Sequence, residues 1–415
     1  MPLVDNPAVQ FAFHHAALRI GAIAVLAPQS AVEREGLAID YAVALDDQPA
    51  NAKRRLIFDA SWAVPASVPD GPVPVDPEPG ILLSSSGSTG LSKLMAYQTG
   101  GLAARASVID ALSPAPETAF TTFINPSTIA GFRAINRALI AGQSVILGSD
   151  PVETLKRMKA MGSRAIAAPS PVIPLLCDAA EQHGLALEID QFETVGSLVS
   201  EQVQERVMRI FGCAMRVMYG SSEVGYVAAG QPLLNNFEQG LTGRIVSGVR
   251  LRFEATDTLS GENEGRISIW VAPEMRTTPY LNAEGPFDAE GWFRTSDLGR
   301  LRADGQLVIL GRADDVINPG GTGWHPSVIE GFSLSFPGIR QVAAFGVQNA
   351  AGHDDLWIAA VTGAGFDAQA YRSHVLSRLG VAKVAVNLLA LDALPVNVGG
   401  KVDRPRLRVM VLERP

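Results

Sequence analysis

Residues 200–223 read SEQVQERVMRIFGCAMRVMYGSSE and contain a helix and a strand with their start and stop signals. Ser200 is a favourable N-cap because its hydroxyl can accept a hydrogen bond from the first helical turn, and Gly212 can adopt the left-handed conformation that ends a helix. The apolar side chains between them recur at helical spacing: Val203, Val207, Ile210 and Phe211. The apolar run at 215–219 then leads into a glycine-serine turn. A helix followed by a buried strand and a small-residue turn is typical of α/β folds that bind ligands at strand ends.

The same alternation continues toward the N-terminus. Residues 144–148 (SVILG) and 164–168 (RAIAA) are predicted to be short buried strands. Between them Val152, Leu155 and Met158 recur at helical spacing. We therefore predict an α/β fold whose first part contains parallel strands joined by helices.

The pattern changes twice in the C-terminal half. From about Leu251 strands follow one another without helices, as in RISIWVA at 266–272 and QLVILG at 306–311. Short helical and strand patterns then alternate in a compact α+β unit. We predict a large N-terminal domain at 1–312 and a small C-terminal domain at 313–415, since 415 residues exceed one ordinary domain.

Composition mainly excludes function classes. The net charge is −8 and no run of lysine or arginine occurs, which disfavours a nucleic-acid-binding protein. The two cysteines, Cys177 and Cys213, form no CxxC pair. The adjacent His14 and His15 would point apart on either a helix or a strand and are interpreted as structural. The first residues, MPLVDNPAVQ, show no secretory signal. We expect a cytoplasmic protein that does not bind membranes.

Residues 81–93, ILLSSSGSTGLSK, combine an apolar strand with a small-residue loop that ends at Lys93. Small residues let backbone amides converge on an anion, and hydroxyl groups can add further hydrogen bonds to phosphate oxygens. The spacing does not fit the Walker A pattern, which disfavours a P-loop nucleotidase. Taken alone, the segment is also compatible with a flexible surface turn.

Three further segments contain candidate functional groups. YGSSE at 219–223 ends a predicted strand with a tyrosine and a carboxylate, which suit a purine ring and Mg²⁺. FRTSD at 293–297, followed by GRADD at 311–315, offers an aspartate and an arginine for a ribose or a phosphate. LPVNVGGKVDR at 394–404 presents Lys401 beside two glycines, where it could stabilise an anionic transition state. Each segment alone could equally be a surface turn or ion pair.

In this order and spacing the segments resemble the adenylate-forming superfamily, which includes acyl- and aryl-CoA synthetases, peptide-synthetase adenylation domains and luciferases. The resemblance covers about residues 80–410. It implies a large domain of layered α/β subdomains and a small, mobile α+β domain. It also implies a two-step activity: a small carboxylic acid reacts with ATP and Mg²⁺ to give an acyl-AMP and pyrophosphate, and the acyl group then passes to the thiol of CoA.

The resemblance assigns roles by motif position. It implies catalytic roles for Lys401 and Glu223, Mg²⁺ binding by Glu223, and a hinge at Asp314. It implies nucleotide binding by Ser85, Ser86, Gly87, Ser88, Thr89, Gly90, Lys93, Tyr219, Gly220, Ser221, Ser222, Asp297 and Arg312. It implies an acid pocket formed by Phe123, Thr128, Ile129, Gly196, Ser197, Leu198 and Gly225.

The chain departs from the usual family pattern in three places. The region before the phosphate loop is shorter than usual, and dimerisation could replace the lost burial. Thr128 stands where a histidine is common, and Trp324-His325-Pro326 is most similar to aryl-CoA ligases. With few obvious cations near the pocket segments, we expect an aromatic or medium-sized apolar acid rather than a dicarboxylate.

Two other functions remain open. A stand-alone adenylation enzyme would load the phosphopantetheine thiol of an acyl carrier protein instead of CoA. A relative without catalytic activity would bind a nucleotide only.

Overall fold

The computed structural model describes residues 2–3, 7–19, 22–25, 32–33, 38–44, 52–57, 80–85, 93–98, 118–195, 199–230, 238–256, 259, 261–273, 276, 280, 284–319, 323–349, 353–380, 384–397 and 401–413. Within this part the chain forms a mixed α/β fold, as predicted from the sequence.

Two small three-stranded sheets and one helix belong to the N-terminal region. Their elements are β1 (Pro2–Leu3), α1 (Pro7–Arg19), β2 (Ala24–Val25), β3 (Tyr41–Ala44), β4 (Arg54–Ile57), β5 (Gly80–Ser85) and β6 (Lys93–Gln98). Strand β3 pairs in parallel with β1 and β4, while β5 pairs in parallel with β2 and antiparallel with β6. Because Ser85 is paired with Lys93, the two ends of segment 86–92 lie side by side.

Helix α1 carries the two adjacent histidines. His14 is 2% exposed, and neither of its ring nitrogens has a hydrogen-bond partner. Burial lowers the pKa of His14 to about 3, so this imidazole is neutral near neutral pH. The His15 ring stacks near Phe132, with centroids 6.1 Å apart. These contacts fit the structural role predicted for the pair.

An eleven-stranded sheet dominates the structure. Its first half is parallel and is formed by β7 (Phe120–Thr122), β8 (Val145–Leu147), β9 (Ala165–Pro169), β10 (Gln191–Val195) and β11 (Met215–Ser221). The predicted strands at 144–148, 164–168 and 215–219 are all found in it. Every residue of β9 is buried, as expected for a strand with both faces covered by other elements.

The second half of this sheet is antiparallel. It contains β12 (Gly225–Gly230), β13 (Leu241–Ile245), β14 (Arg250–Glu254), β15 (Glu264–Trp270), β16 (Trp292–Leu301) and β17 (Gln306–Arg312). Strand β12 pairs antiparallel with β11 and therefore joins the two halves. Strand β13 pairs with β17, so the C-terminal ends of β11 and β17 lie in one continuous sheet.

Four helices accompany the parallel strands: α2 (Ile129–Ile140), α3 (Pro151–Met161), α4 (Ile173–Gln182) and α5 (Glu201–Phe211). Ser200 caps α5 by accepting a hydrogen bond from the Val203 amide, and Gly212 ends it at φ 73°. Asp150 and Gly162 limit α3 in the same way. The local signals in the sequence therefore predicted these helix ends correctly, because caps and left-handed glycines act within one turn.

The C-terminal region has its own three-stranded sheet. Its elements are α6 (Pro326–Leu334), β18 (Ile339–Gln348), β19 (Asp354–Thr362), α7 (Ala368–Leu379), β20 (Val386–Ala390) and α8 (Arg404–Leu412). Two clusters of buried apolar side chains in this region draw all their members from residues 317–411. These separate cores support a domain division near 312, which stays a prediction.

An ion pair fixes the start of α8 to the small sheet. Arg404 Nη2 lies 2.6 Å from Glu330 Oε1, and its Nε donates to the Ala344 carbonyl at 3.1 Å. Glu330 Oε1 also accepts from the Ala344 amide at 2.9 Å. Arg404 therefore connects α6, β18 and α8 only three residues after Lys401.

Candidate active site

Tyr219 and Asp297 meet at the ends of two strands of the large sheet. The Tyr219 hydroxyl donates to Asp297 Oδ2 at 2.7 Å, and the Asp297 amide donates to Thr295 Oγ1 at 2.9 Å. Burial, and then the Asp297 charge, raise the pKa of Tyr219, so the phenol is a neutral donor. Asp297 is also the cross-strand partner of Arg312, whose Nε lies 4.0 Å from Asp297 Oδ1. That distance is an ion pair without a hydrogen bond, and Arg312 Nε is buried without an acceptor.

Glu223 lies in the turn between β11 and β12 and is held by a tyrosine from a distant loop. The Tyr280 hydroxyl donates to Glu223 Oε1 at 2.7 Å. Lys93 Nζ lies 4.6 Å from the centroid of the Tyr280 ring, within the range of a cation–π interaction. Tyr280 thus connects two residues predicted from separate motifs. The sequence analysis missed it because it stands outside every motif.

Close approach of the backbone shapes the same turn. A Cβ atom on Gly220 would lie 2.2 Å from the Gly225 carbonyl oxygen, so only glycine fits at position 220. Ser221 Oγ accepts from the Val224 amide at 3.4 Å. The Ser222 carbonyl accepts from the Tyr97 hydroxyl at 3.0 Å, which attaches the turn to β6.

Lys401 reaches this group of residues from the far end of the chain. Crowding by protein atoms lowers the pKa of its ammonium, although the residue as a whole is exposed. The negative charge of Asp297 opposes that shift, and the positive charge of Arg312 adds to it. Glu223 and Asp315 also act on the ammonium. Lys401 therefore lies within the electrostatic reach of residues from three predicted motifs.

Backbone contacts hold the loop of Lys401. Its amide donates to Asn397 Oδ1 at 3.1 Å, and the Asn397 amide donates to the Lys401 carbonyl at 2.8 Å. The predicted hinge residue, Asp314, lies in a single 3-10 turn, Ala313–Asp315, directly after β17. Its Oδ2 is 3.5 Å from Arg312 Nη2.

Several predicted site residues lie outside the described residues. These are Ser86, Gly87, Ser88, Thr89 and Gly90 of the phosphate loop, together with Gly196, Ser197 and Leu198 of the acid pocket. Ser85 is placed as the last residue of β5. The roles assigned to all of these residues stay predictions.

The described acid-pocket candidates do not form one wall. Phe123 packs against the cluster that contains Leu155, and its ring covers Gly148. Ile129 instead packs in the cluster that contains Met95 and Tyr97. Thr128 is the N-cap of α2, where Oγ1 accepts from the Gly131 amide at 3.2 Å and donates to the Asn125 carbonyl at 2.7 Å. The Thr128 hydroxyl is thus already used by the backbone.

The structure adds an arginine that the sequence analysis overlooked. Arg133, on α2, is 7% exposed, and its Nε and Nη2 have no hydrogen-bond partner in the described residues. Burial lowers its pKa, but a guanidinium remains charged at physiological pH. The only available signal was an arginine pair, Arg133 and Arg137, in a helix whose other side chains are uncharged.

The large sheet, parallel in its first half and antiparallel in its second, is followed by a C-terminal region with its own three-stranded sheet. The sequence model of the family described as "AMP-binding enzyme" matches residues 4–272, and the chain belongs to this family. It is an enzyme of the AMP-forming acid–CoA ligase type.

Two relatives illustrate the similarity. A probable 2-succinylbenzoate–CoA ligase of Mycobacterium tuberculosis (strain CDC 1551 / Oshkosh) is 30% identical over 350 residues, covering 80% of this chain and 85% of the relative. A salicylyl-CoA synthase / salicylate adenylyltransferase of a Streptomyces species is 27% identical over 286 residues, covering 66% of this chain and 52% of the relative.

Solved structures support the fold. The o-succinylbenzoate CoA synthetase of Bacillus subtilis, solved with ATP and a magnesium ion, matches with a TM-score of 0.78 at 19% identity. The match covers 98% of this chain and 88% of that one. The predicted α/β fold therefore has a known counterpart across nearly the whole chain.

The described residues contain no group of three or more histidine, cysteine, aspartate or glutamate side chains placed to hold a metal ion. No helix in this part of the chain is both long and apolar enough to cross a membrane.

Proposed function

We propose that this enzyme activates an aromatic carboxylic acid as its acyl-AMP and transfers the acyl group to the thiol of CoA. The observation that carries the proposal is the convergence of Lys401, Asp297 and Glu223, which are far apart in sequence. Glu223 and Asp297 both act electrostatically on the Lys401 ammonium, and a lysine with two carboxylates suits the assembly of a nucleotide and an anionic acid.

In the proposed site Asp297 and Arg312 bind the ribose of ATP, and the Tyr219 ring covers the adenine. The ordered Tyr219–Asp297 hydrogen bond supports this role, because it fixes the carboxylate before the nucleotide binds. Segment 85–90 binds the β- and γ-phosphates, together with Lys93, which follows three residues later.

A single carboxylate fits the way proteins bind magnesium on nucleotides, where substrate phosphates and waters supply most ligands. We assign this carboxylate to Glu223, which Tyr280 orients through one oxygen. When bound, the metal neutralises phosphate charge. The residues of this chain then position the reactants.

In the first step a carboxylate oxygen of the acid attacks the α-phosphorus, the bond to the bridging oxygen breaks, and pyrophosphate leaves. Lys401 stabilises the negative charge that develops between the carboxylate and the α-phosphate. In the second step the thiolate of CoA attacks the acyl carbon, and AMP leaves with the electrons of the C–O bond. Rotation of residues 313–415 about Asp314 between the steps would withdraw Lys401.

Both the acid and the acceptor are inferred partly from relatives. The names of two relatives specify aromatic acids, 2-succinylbenzoate and salicylate, and both also specify CoA. These names support an aromatic acid and CoA for this chain. Phosphopantetheine on an acyl carrier protein presents the same thiol arm, so the acceptor needs a direct comparison.

The test measures pyrophosphate release from Mg·ATP with a panel of aryl, fatty and amino acids, using hydroxylamine to trap the adenylate. We expect release with aryl acids, followed by thioester formation with CoA but not with holo carrier protein. A preference for the carrier protein would replace the acceptor only. Silence toward every acid, from folded protein that binds ATP, would contradict the proposed activity and favour a nucleotide-binding role.

A further inference from the structure

Arg133 is a buried cation without a counterion among the described residues. It projects from α2, is 7% exposed, and takes part in no ion pair there. The Tyr97 ring centroid lies 6.0 Å from Arg133 Cζ, which is at the limit of a cation–π contact. Burying a charge without a partner is costly, so buried arginines normally have a carboxylate or carbonyl acceptor.

The neighbouring groups do not remove this excess charge. Glu193 is shared by two other arginines: Arg137 Nη1 lies 4.0 Å and Arg216 Nη1 lies 3.5 Å from Glu193 Oε1. Tyr226 is close to Arg133 and Arg137, but burial raises its pKa to about 12, so it stays neutral. Glu193 is thus already engaged by Arg137 and Arg216, and no ion pair joins it to Arg133 in the described residues.

The residues of this cluster stand next in sequence to three acid-pocket segments. Helix α2, with both arginines, begins after Thr128. Tyr226 directly follows Gly225, and Glu193 is in the strand that leads to Gly196. The excess positive charge is therefore on the acid side of the site, and the Tyr219–Asp297 pair is not part of it.

We propose that the acid substrate carries a second carboxylate and that Arg133 binds it. This inference rests on the proposed function and defines its substrate class as aromatic dicarboxylic acids. The planar guanidinium matches a carboxylate in a bidentate arrangement, and both its free nitrogens are available for one. The sequence-based preference for an apolar monoacid rested on the lack of obvious cations. Arg133 and Arg137 were not counted among these cations because they lie in a helix whose other side chains are uncharged.

The experiment measures kcat/KM for pyrophosphate release without CoA, so that no phosphate of CoA can provide the anion. The probes are phthalate, compared with its single methyl monoester, and homophthalate and 2-succinylbenzoate, each compared with both of its methyl monoesters. We expect the wild-type enzyme to prefer at least one diacid over its monoesters by roughly 10- to 100-fold, the range for a hydrogen-bonded charged group.

Arg133→Met should remove this preference. Its kcat/KM for the preferred diacid should fall by roughly 10- to 100-fold, while the value for the monoester stays within about threefold. Arg133→Lys keeps the charge without the bidentate geometry and should give an intermediate preference. Because each ratio is measured within one variant, a partial loss of folded enzyme cancels out.

Two outcomes overturn the inference alone: turnover of diacids and monoesters at equal efficiency by the wild type, or an equal loss for both in Arg133→Met. Either result leaves the proposed adenylation intact, because pyrophosphate is still released. Silence of the wild type toward all acids overturns the proposed function and, with it, this inference.

Discussion

The proposed nucleotide side and the proposed acid side of the site differ in whether their charged groups have partners within the protein. On the nucleotide side, Asp297 already accepts from Tyr219, and Glu223 already accepts from Tyr280. On the acid side, Arg133 is buried with two nitrogens that have no partner in the described residues. These two carboxylates are paired within the protein, whereas we assign the partner of Arg133 to the bound acid.

We relate this difference to two tasks: binding the nucleotide, which the whole family shares, and selecting the acid substrate. Internally paired groups hold their geometry at little cost, which suits a nucleotide common to the whole family. An unpaired buried charge lowers the stability of the free protein, and only a matching anion removes that cost. Specificity is strongest where the wrong ligand leaves a polar group unsatisfied.

Removal of Lys401 should have the largest effect on the nucleotide side. Lys401→Ala is expected to slow acyl-AMP formation by roughly 10²- to 10³-fold, because one preorganised donor to the transition state is lost. Thioester formation from supplied acyl-AMP should remain near normal. Lys156→Ala, which removes an exposed lysine paired with Glu153, is the control. Near-normal pyrophosphate release by Lys401→Ala would contradict the assignment.

A matched pair of substitutions on α2 tests the acid side through stability. Arg133→Met should raise the free energy of unfolding of the ligand-free protein by about 1–2 kcal/mol, because it removes an unpaired buried charge. Arg137→Met, one turn later, should lower it by about 1–3 kcal/mol, because it takes a partner from Glu193. Urea unfolding at one pH measures both. Equal destabilisation by the two variants would mean that Arg133 is internally paired after all.

His14 shows how a buried base without a partner differs from Arg133, since it can lose its proton. In the unfolded chain it binds a proton below about 6.5, but in the folded chain only below about 3. Between these values the unfolded state holds more protons. Stability is therefore full above pH 6.5 and falls on acidification by at most about 1.4 kcal/mol per pH unit.

Urea unfolding of the wild type and His14→Leu at pH 7, 6 and 5 isolates this contribution. The wild type should lose more stability than the variant over that range. Parallel losses would show that His14 titrates normally in the folded protein.

The smallest expected effect concerns Thr128. Thr128→Val should lower stability by about 1 kcal/mol through loss of the α2 cap and leave the preference among acids unchanged. Thr128→Ser, which keeps the hydroxyl, should behave as the wild type. A changed acid preference with unchanged stability in Thr128→Val would instead indicate that Thr128 contacts the acid substrate.

Local features were predictable from the sequence, and long-range ones were not. The ends of α5 followed from Ser200 and Gly212, because capping depends on neighbours within one turn. The pairing of β13 with β17 joins segments some 60 residues apart, and no local pattern encodes it.

The residues of the candidate site also fall into those predictable from local sequence and those that depend on long-range contacts. Tyr219, Glu223, Asp297 and Lys401 were identified because each stands in a recognisable motif, and the structure brings them together. Arg133 and Tyr280 were missed because their importance arises only from tertiary contacts.

The contact of Arg404 with Glu330 and Ala344 attaches the start of α8 to the small C-terminal sheet. Lys401 lies three residues before Arg404, so it would move with residues 313–415 in the proposed rotation. A small rotation about Asp314 would then displace the Lys401 ammonium in proportion to its distance from Asp314. Loss of the Arg404 contacts would leave the proposed rotation about Asp314 possible and would reduce the displacement of Lys401 toward the reacting phosphate.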